Sequence, residues 1–132
     1  MPTMEANNIA FVHRFITSLV FTDVVETSIL VFLLRVLPGN KALETSRIIF
    51  AGLWASFSTI PYVWFVFPYL VQWPASTAII FAEVFAFLME ALFYKVVLRL
   101  NWKTALFVSL VCNAASYFLG PILRAHGLWI YW

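Results

Sequence analysis

Two glutamates lie seven residues apart inside a hydrophobic run that is long enough to cross a lipid bilayer. The run extends from about residue 75 to residue 98 and contains Glu83 and Glu90. In a helix, seven residues bring two side chains back to within about 20° of each other, two turns apart. Acidic side chains at membrane depth are costly and usually face a protein interior or a water-filled cavity. The pattern therefore predicts a helix with one acidic face turned away from lipid.

The composition is that of an integral membrane protein. Of the 132 residues, 64% are hydrophobic and 11% are charged, and the mean hydropathy is +0.93. Soluble domains carry about 25% charged residues. The longest polar connection runs only from residue 38 to residue 47, so we expect a single transmembrane domain over residues 1–132, surrounded by lipid. The net charge of +2 comes from dispersed basic residues and gives no basis for a nucleic-acid partner.

Four membrane-spanning helices are predicted when windows of about 20 residues are compared with the bilayer thickness. They cover residues 15–37, 48–70, 75–98 and 104–122. The predicted fold class is an all-α, four-transmembrane-helix bundle. Pro61 lies near the centre of the second span and is expected to kink it, which frees backbone carbonyls that Ser56, Ser58, Thr59 or a neighbouring helix could satisfy. The tail from residue 126 to residue 132 is too short to cross again and is expected in the interface.

The distribution of lysine and arginine predicts the orientation. Only Arg14 and Arg124 fall on one side, and the turns on the other side carry the remaining six. These six are Arg35, Lys41, Arg47, Lys95, Arg99 and Lys103. Both turns are therefore expected in the cytoplasm and both termini outside.

Each predicted span has a polar residue close to its midpoint. These residues are Glu26, Thr59, Glu90 and Asn113. If every span is centred in the bilayer, all four helices place a polar side chain at the same depth. We therefore expect a polar layer at the midplane of the bundle.

Further polar residues extend this layer in both directions. Asp23, Glu83 and Ser116 fall on the outer side of the midplane, and Tyr94 and Ser109 fall on the inner side. The sequence thus predicts a polar lane that is entered from outside and reaches the midplane residues.

The acids have no basic partner within the apolar part of any span. A carboxyl group buried without a positive partner favours its neutral, protonated form. Three roles follow: the acids form hydrogen bonds to Asn113, Thr59 and Ser116, or they exchange protons or bind a cation, or they pair with a basic residue of another protein. The candidates for proton, cation or partner binding are Asp23, Glu26, Thr59, Glu83, Glu90, Asn113 and Ser116.

Small residues on the fourth span favour close helix packing. Ser109, Asn113, Ser116 and Gly120 repeat at four, three and four residues, which is a helical stripe of the small-xxx-small type. Ser109, Gly120 and Pro61 are accordingly assigned to packing between helices.

No enzyme or metal motif is present in the sequence. Cys112 has no histidine in its span that would activate it, and His13 and His126 are two isolated histidines near the outer interface, too few to predict a metal or haem site. The cofactor stays unknown, since pigment, quinone or haem binding requires no fixed motif. The only candidates for catalysing an intramembrane reaction are Glu26 and Glu90, if their two carboxyl groups share one proton.

One pattern resembles small prokaryotic four-helix membrane proteins of unassigned function. It reads Glu83-x6-Glu90, then Asn113-x2-Ser116-x3-Gly120, with a Thr59-Ile-Pro61 element before it, and it covers about two helices. The resemblance implies the inner (cytoplasmic) membrane of a prokaryote and no particular activity. Small multidrug transporters are also four-helix chains with a glutamate in the first span, but their motifs are absent here.

Three functions remain open from the sequence. The first is a non-enzymatic subunit of a larger membrane protein complex, which uses the polar and acidic midplane face for assembly. The alternative is a small homo-oligomeric carrier or channel in which Glu26 and Glu90 take up protons or a cation. The third is a small intramembrane enzyme.

Overall fold

All the regular secondary structure is helical in the part of the chain that the structure, a computed structural model, describes. The described residues are 4–70 and 74–127, so the predicted interfacial residues 128–132 lie outside them. Four long helices and one short helix follow in order. They are α1 (Met4–Val36), α2 (Thr45–Phe65), α3 (Phe67–Leu70), α4 (Ala75–Val97) and α5 (Trp102–Ala125).

Three helical segments are long and apolar enough to cross a membrane. These are Thr45–Tyr69, Ser76–Val97 and Trp102–Ala125. The first helix begins at Met4, well before the predicted start near residue 15. Its extension has a packing reason, because the Phe11 ring lies 5.7 Å from the rings of both Trp64 and Phe65.

The four long helices form a ring in which each helix packs against two others. Going round the ring, α1 contacts α2, α2 contacts α4, α4 contacts α5, and α5 returns to α1. Helices α1 and α4 are therefore diagonal to each other, as are α2 and α5. The short connections make consecutive helices antiparallel, so α1 and α4 run one way and α2 and α5 the other.

One end of the bundle carries most of the basic residues, and we call it the basic end. Arg35 ties the end of α1 to the start of α2, donating to Leu43 O at 2.8 Å and to Thr45 Oγ1 at 2.6 Å. Arg47 donates to Val97 O through Nε at 3.0 Å and Nη2 at 2.6 Å. A cation at that place satisfies a carbonyl which the end of helix α4 leaves open.

The tight connection between α4 and α5 has a local cause. Asn101 Oδ1 accepts a hydrogen bond from the Thr104 backbone N–H at 2.8 Å, which caps the start of α5. Arg99 adopts a positive φ of 55°, and this left-handed residue reverses the chain within a few residues. Lys95 Nζ lies 5.0 Å from the centre of the Trp102 ring and holds the two ends together.

Gly52 lies at a much closer contact between helices than Gly120 does. A Cβ added to Gly52 would lie 2.6 Å from Thr27 Oγ1 and 3.1 Å from Thr27 Cα, so α1 and α2 touch at this point. A Cβ added to Gly120 would meet Phe21 Cε1 at 3.8 Å, which is an ordinary contact. Gly120 thus borders α1 but leaves room for a methyl group.

Helix α2 continues through Pro61 to Phe65. The hydroxyl groups before Pro61 bond back onto their own helix: Ser58 Oγ donates to Ala55 O at 2.7 Å, and Ser56 Oγ lies 3.3 Å from Gly52 O. Proline at position 61 frees the carbonyl four residues earlier, that of residue 57. These two hydroxyls therefore lie beside the carbonyls of Gly52 and Ala55, whereas the prediction placed them at the carbonyl that Pro61 frees.

An apolar core fills the half of the bundle next to the basic end. Tyr94 is the largest of its fully buried side chains, and every long helix contributes to the core. Its members are Leu30, Leu34, Ile48, Ala51, Ala55, Tyr94, Leu98, Leu100, Ala105, Val108 and Cys112. This half of the bundle is therefore packed mainly with apolar side chains.

Candidate functional site

The carboxyl group of Glu26 joins α1 to both of its neighbours. Its Oε2 accepts a hydrogen bond from Ser56 Oγ of α2 at 2.7 Å, and its Oε1 accepts one from Ser116 Oγ of α5 at 2.5 Å. Only 1% of Glu26 is exposed. The Cys112 thiol also lies 3.5 Å from the Glu26 backbone carbonyl. Glu26 is thus enclosed by protein and bonded on both oxygens.

Glu90 has the same arrangement on the diagonal helix α4. Its Oε1 accepts from Thr59 Oγ1 of α2 at 3.0 Å, and its Oε2 accepts from Asn113 Nδ2 of α5 at 2.6 Å. Only 2% of Glu90 is exposed. Each carboxyl group therefore bridges α2 and α5.

The spacing of the donors explains how two helices serve both acids. Ser56 and Thr59 are three residues apart on α2, and Asn113 and Ser116 are three residues apart on α5, so each pair lies on one helix face. On α5 the two sites are linked, because Ser116 Oγ also lies 3.0 Å from the Asn113 carbonyl oxygen. The result is one polar layer that contains both glutamates.

The bonds to Glu90 define where a proton could sit. Asn113 Nδ2 also lies 3.0 Å from Ser109 O, and a backbone carbonyl only accepts, so this atom of the side chain is the NH₂ group. It requires an acceptor at Glu90 Oε2. The Thr59 hydroxyl at Oε1 can donate or accept, so Oε1 is the oxygen of Glu90 whose partner can accept a proton from it.

A polar cavity of about 140 Å³ adjoins this layer. Both Glu26 and Glu90 line it, and its other polar walls come from all four long helices. They are Ser18, Thr22, Thr59, Glu83, Asn113, Ser116 and Tyr117. The cavity occupies the half of the bundle away from the basic end, and the apolar core lies on the other side of the glutamates. Polar space is therefore present on one side of the acidic pair.

Glu83 lies at the boundary between this cavity and the outside of the bundle. It is only partly buried, and it also lines a second depression, which lies between α4 and α5. Glu83, Asn113 and Tyr117 line both spaces. Of the two glutamates in the Glu83-x6-Glu90 pattern, one is thus enclosed and the other reaches the exterior.

Asp23 does not line the central cavity, in contrast to the predicted lane. It lies in a depression between α1 and α2, together with Leu53, Trp54 and Phe57. Its Oδ1 is buried and has no hydrogen-bond partner among the described residues. Asp23 is three residues from Glu26, a rotation of about 60° around α1, and at this position of α1 the rotation places it at the boundary with α2 instead of the bundle centre.

The inner part of the predicted lane is also different. Tyr94 is fully buried in the apolar core, and its hydroxyl has no hydrogen-bond partner within the described part of the chain. Ser109 Oγ donates to Phe87 O of α4 at 2.7 Å, so it joins two helices as a packing residue. The polar groups do not continue as a lane towards the basic end.

The histidines and the cysteine add no metal-binding cluster. Within residues 4–70 and 74–127, no group of three or more histidine, cysteine or acidic side chains could hold a metal ion. A ring nitrogen of His126 lies 2.9 Å from Ile122 O on its own helix. Cys112 is a buried free thiol.

Ser56 is the one hydrogen-bond donor to Glu26 or Glu90 that sequence reasoning missed, and Ser18, Thr22 and Tyr117 of the cavity wall were not predicted either. Ser56 was considered only as a partner for backbone carbonyls near Pro61, although it lies three residues before Thr59 and so on the same face. That spacing is the signal that would have placed it beside an acid.

Comparisons with known proteins give no further information on this site. No family model, curated protein or solved structure matches the chain.

Proposed function

We propose that this protein is a small membrane carrier in which Glu26 and Glu90 take up protons or a cation. The observation that carries the proposal is the one-sided cavity: two carboxyl groups from diagonal helices border the same polar space, and apolar core closes the opposite side. Their hydrogen-bond donors are neutral hydroxyl and amide groups. Neutral donors leave the charge of the carboxyl groups available for a proton or cation.

We also propose that α1 is the fourth membrane-spanning helix. Exposed apolar side chains follow one another every three to eight residues over most of its length. They are Ile9, Val12, Ile16, Val20, Val24, Phe32 and Val36. From Ile9 to Val36 this stripe is about 40 Å long at 1.5 Å per residue, and the hydrocarbon core is about 30 Å thick. A stripe of this kind suits contact with lipid along a full crossing.

The basic end is proposed to lie in the cytoplasm, with both termini outside. Six of the eight lysine and arginine residues belong to that end, and cytoplasmic loops carry an excess of such residues. The cavity then faces the non-cytoplasmic side. The inner membrane of a prokaryote, which the sequence resemblance implies, is the proposed location.

Proton movement in proteoliposomes tests the carrier. The purified protein is reconstituted with a pH-sensitive dye inside, and a Na⁺ or K⁺ gradient is imposed. We expect proton movement above that of protein-free liposomes, and loss of the excess in Glu90→Gln. The new carboxamide preserves the hydrogen bonds, since its oxygen can accept from Asn113 and its NH₂ can donate to Thr59, whose own hydrogen can turn to Ala55 O at 3.2 Å.

Asp23→Asn is the matched control, because it makes the same chemical change at an acid outside the cavity. It should move protons as the unmodified protein does. Wild-type flux in Glu90→Gln, or no excess flux in the unmodified protein under a Na⁺, a K⁺ or an alkylammonium gradient, would contradict the carrier.

A subunit of a larger membrane complex is the second candidate, and Asp23 favours it. One oxygen of this carboxyl group is buried without a partner, in a depression of about 280 Å³ on the α1–α2 surface. A lysine or arginine of a neighbouring transmembrane helix would satisfy it and would meet the aromatic rings of Trp54 and Phe57. In this version the assembly surface is the α1–α2 exterior, since Glu26 and Glu90 are enclosed within the bundle.

Native mass spectrometry of gently extracted protein tests this second candidate. A subunit would arrive with larger membrane proteins in fixed stoichiometry, and Asp23→Leu would release them. Arrival alone or as a homo-oligomer would contradict it.

A further inference from the structure

A depression between α4 and α5 combines an apolar lining with one acid. Its volume is about 300 Å³, and we call it the lateral groove. The apolar lining consists of Ile79, Ile80, Val84, Phe87, Leu110 and Ala114. Glu83, Asn113 and Tyr117 complete it. Small-molecule sites typically have this volume or more, with a mainly apolar lining and a few polar groups that fix orientation.

The lateral groove and the central cavity share a wall. Glu83, Asn113 and Tyr117 line both spaces, and Ile80, Val84 and Leu110 on the groove side are about half exposed. A molecule dissolved in the bilayer can therefore reach Glu83 from the side, without passing through water.

We propose that the lateral groove binds a lipophilic monovalent cation, an alkylammonium compound, with its charged nitrogen at Glu83 and its apolar body along α4 and α5. This inference deepens the proposed function by naming the substrate class. Transport of the cation rests on the proposed carrier function, whereas binding of the cation does not. Binding of the cation releases one proton from Glu83, so the occupied groove stays neutral.

The chemistry of the groove favours a cation over other amphiphiles. A neutral alkyl chain would fill the apolar part but leave the carboxyl group of Glu83 unpaired at membrane depth, which is costly. An anionic amphiphile would bring a negative charge that Glu83 cannot offset, because its protonated carboxyl group carries no charge and its ionised form would repel the anion. Asn113 lies on the same wall as Glu83, and its bonds to Glu90 and Ser109 are made through Nδ2, so they do not use the partial negative charge of Oδ1.

Binding of decyltrimethylammonium to the protein in lipid nanodiscs tests the proposal, with lipid-only nanodiscs as the blank. We expect saturable binding by calorimetry, release of one proton per bound probe in weak buffer, and no competition from 1-decanol or decanesulfonate. Glu83→Gln should weaken binding by about tenfold or more, as loss of a charged partner does, and should abolish proton release.

Two further variants separate the groove from the rest of the protein. Ala114→Phe fills the groove without touching the acid and should abolish binding, while Asp23→Asn changes an acid in a different depression and should bind normally. Equal binding of 1-decanol, unchanged binding in Glu83→Gln, or no saturable binding to the unmodified protein would overturn the proposal.

The outcome for the groove is independent of the outcome for the carrier. If the probe binds as expected and Glu90→Gln retains full proton movement, the binding proposal is supported and the carrier proposal is contradicted. If proton movement depends on Glu90 and the probe does not bind, the carrier proposal is supported and the binding proposal is contradicted.

Discussion

Glu26 and Glu90 are held by the same two helices, although their own helices lie diagonally across the bundle. Glu26 of α1 and Glu90 of α4 each accept one hydrogen bond from α2 and one from α5. Both pairs of donors are three residues apart. The acids therefore act as cross-links at the centre of the bundle and at the same time border its polar cavity. The proposed proton uptake would depend on the same atoms as stability, so variants must be chosen to separate the two.

Glu90→Leu should destabilise the bundle, whereas Glu90→Gln should not. Leucine removes two bonds between helices, those to Thr59 and Asn113. Such bonds contribute about 0.6 kcal/mol each in membrane proteins, with a maximum near 1.7, so the expected loss in unfolding free energy is about 1–3 kcal/mol. Unfolding in mixed micelles measures it. Equal stability of the two variants would show that the bonds do not hold the bundle together.

Gly52→Ala should destabilise the contact between α1 and α2. The added methyl group would lie 2.6 Å from Thr27 Oγ1 and 3.1 Å from the Thr27 backbone, so the helices must separate. Overpacking of this kind costs about 1–3 kcal/mol, measurable in the same unfolding assay. Gly120→Ala is the matched control and should change little, since its methyl group would meet Phe21 at 3.8 Å. A reversed order of the two variants would refute this account of the packing.

Tyr94→Phe should leave stability unchanged or raise it by up to about 1 kcal/mol. The hydroxyl of Tyr94 is buried among apolar residues and has no hydrogen-bond partner within the described residues, and an unsatisfied buried polar group costs free energy. Thermal unfolding of the two proteins in the same detergent provides the comparison. A clear loss of stability would indicate that the hydroxyl has a partner, such as a bound water molecule.

Cysteine labelling tests the orientation of the basic end. A cysteine at Ala125 should react with a membrane-impermeant thiol reagent added outside intact cells, and a cysteine at Ala42 should react only after permeabilisation. Both positions are exposed, and the native thiol of Cys112 is buried and should contribute little background. The opposite pattern would place the cavity and both termini on the cytoplasmic side.

Depth in the membrane could be predicted from the sequence more readily than direction around a helix. Counting along the spans placed Glu26, Thr59, Glu90 and Asn113 in one layer, and the structure brings these four residues together. Asp23 was assigned to the same lane, but it faces the α1–α2 surface, because a small rotation decides which neighbour a side chain meets. The neighbours themselves follow from the ring order of the helices, which no local pattern encodes. The sequence reasoning gave only a membrane span for α1, and the extension of the helix back to Met4 depends on aromatic contacts with α2.

The most direct test of the central claim is infrared difference spectroscopy of the carboxyl groups in reconstituted protein. On going from acidic to alkaline medium, or on adding the transported cation, we predict loss of the carbonyl band of protonated carboxyl groups. This change should shrink in Glu26→Gln, shrink in Glu90→Gln and vanish for these sites in the double variant, while Asp23→Asn retains it. A spectrum in which neither glutamate contributes any change over the accessible pH range would show that the two acids are permanent structural cross-links and would contradict the carrier.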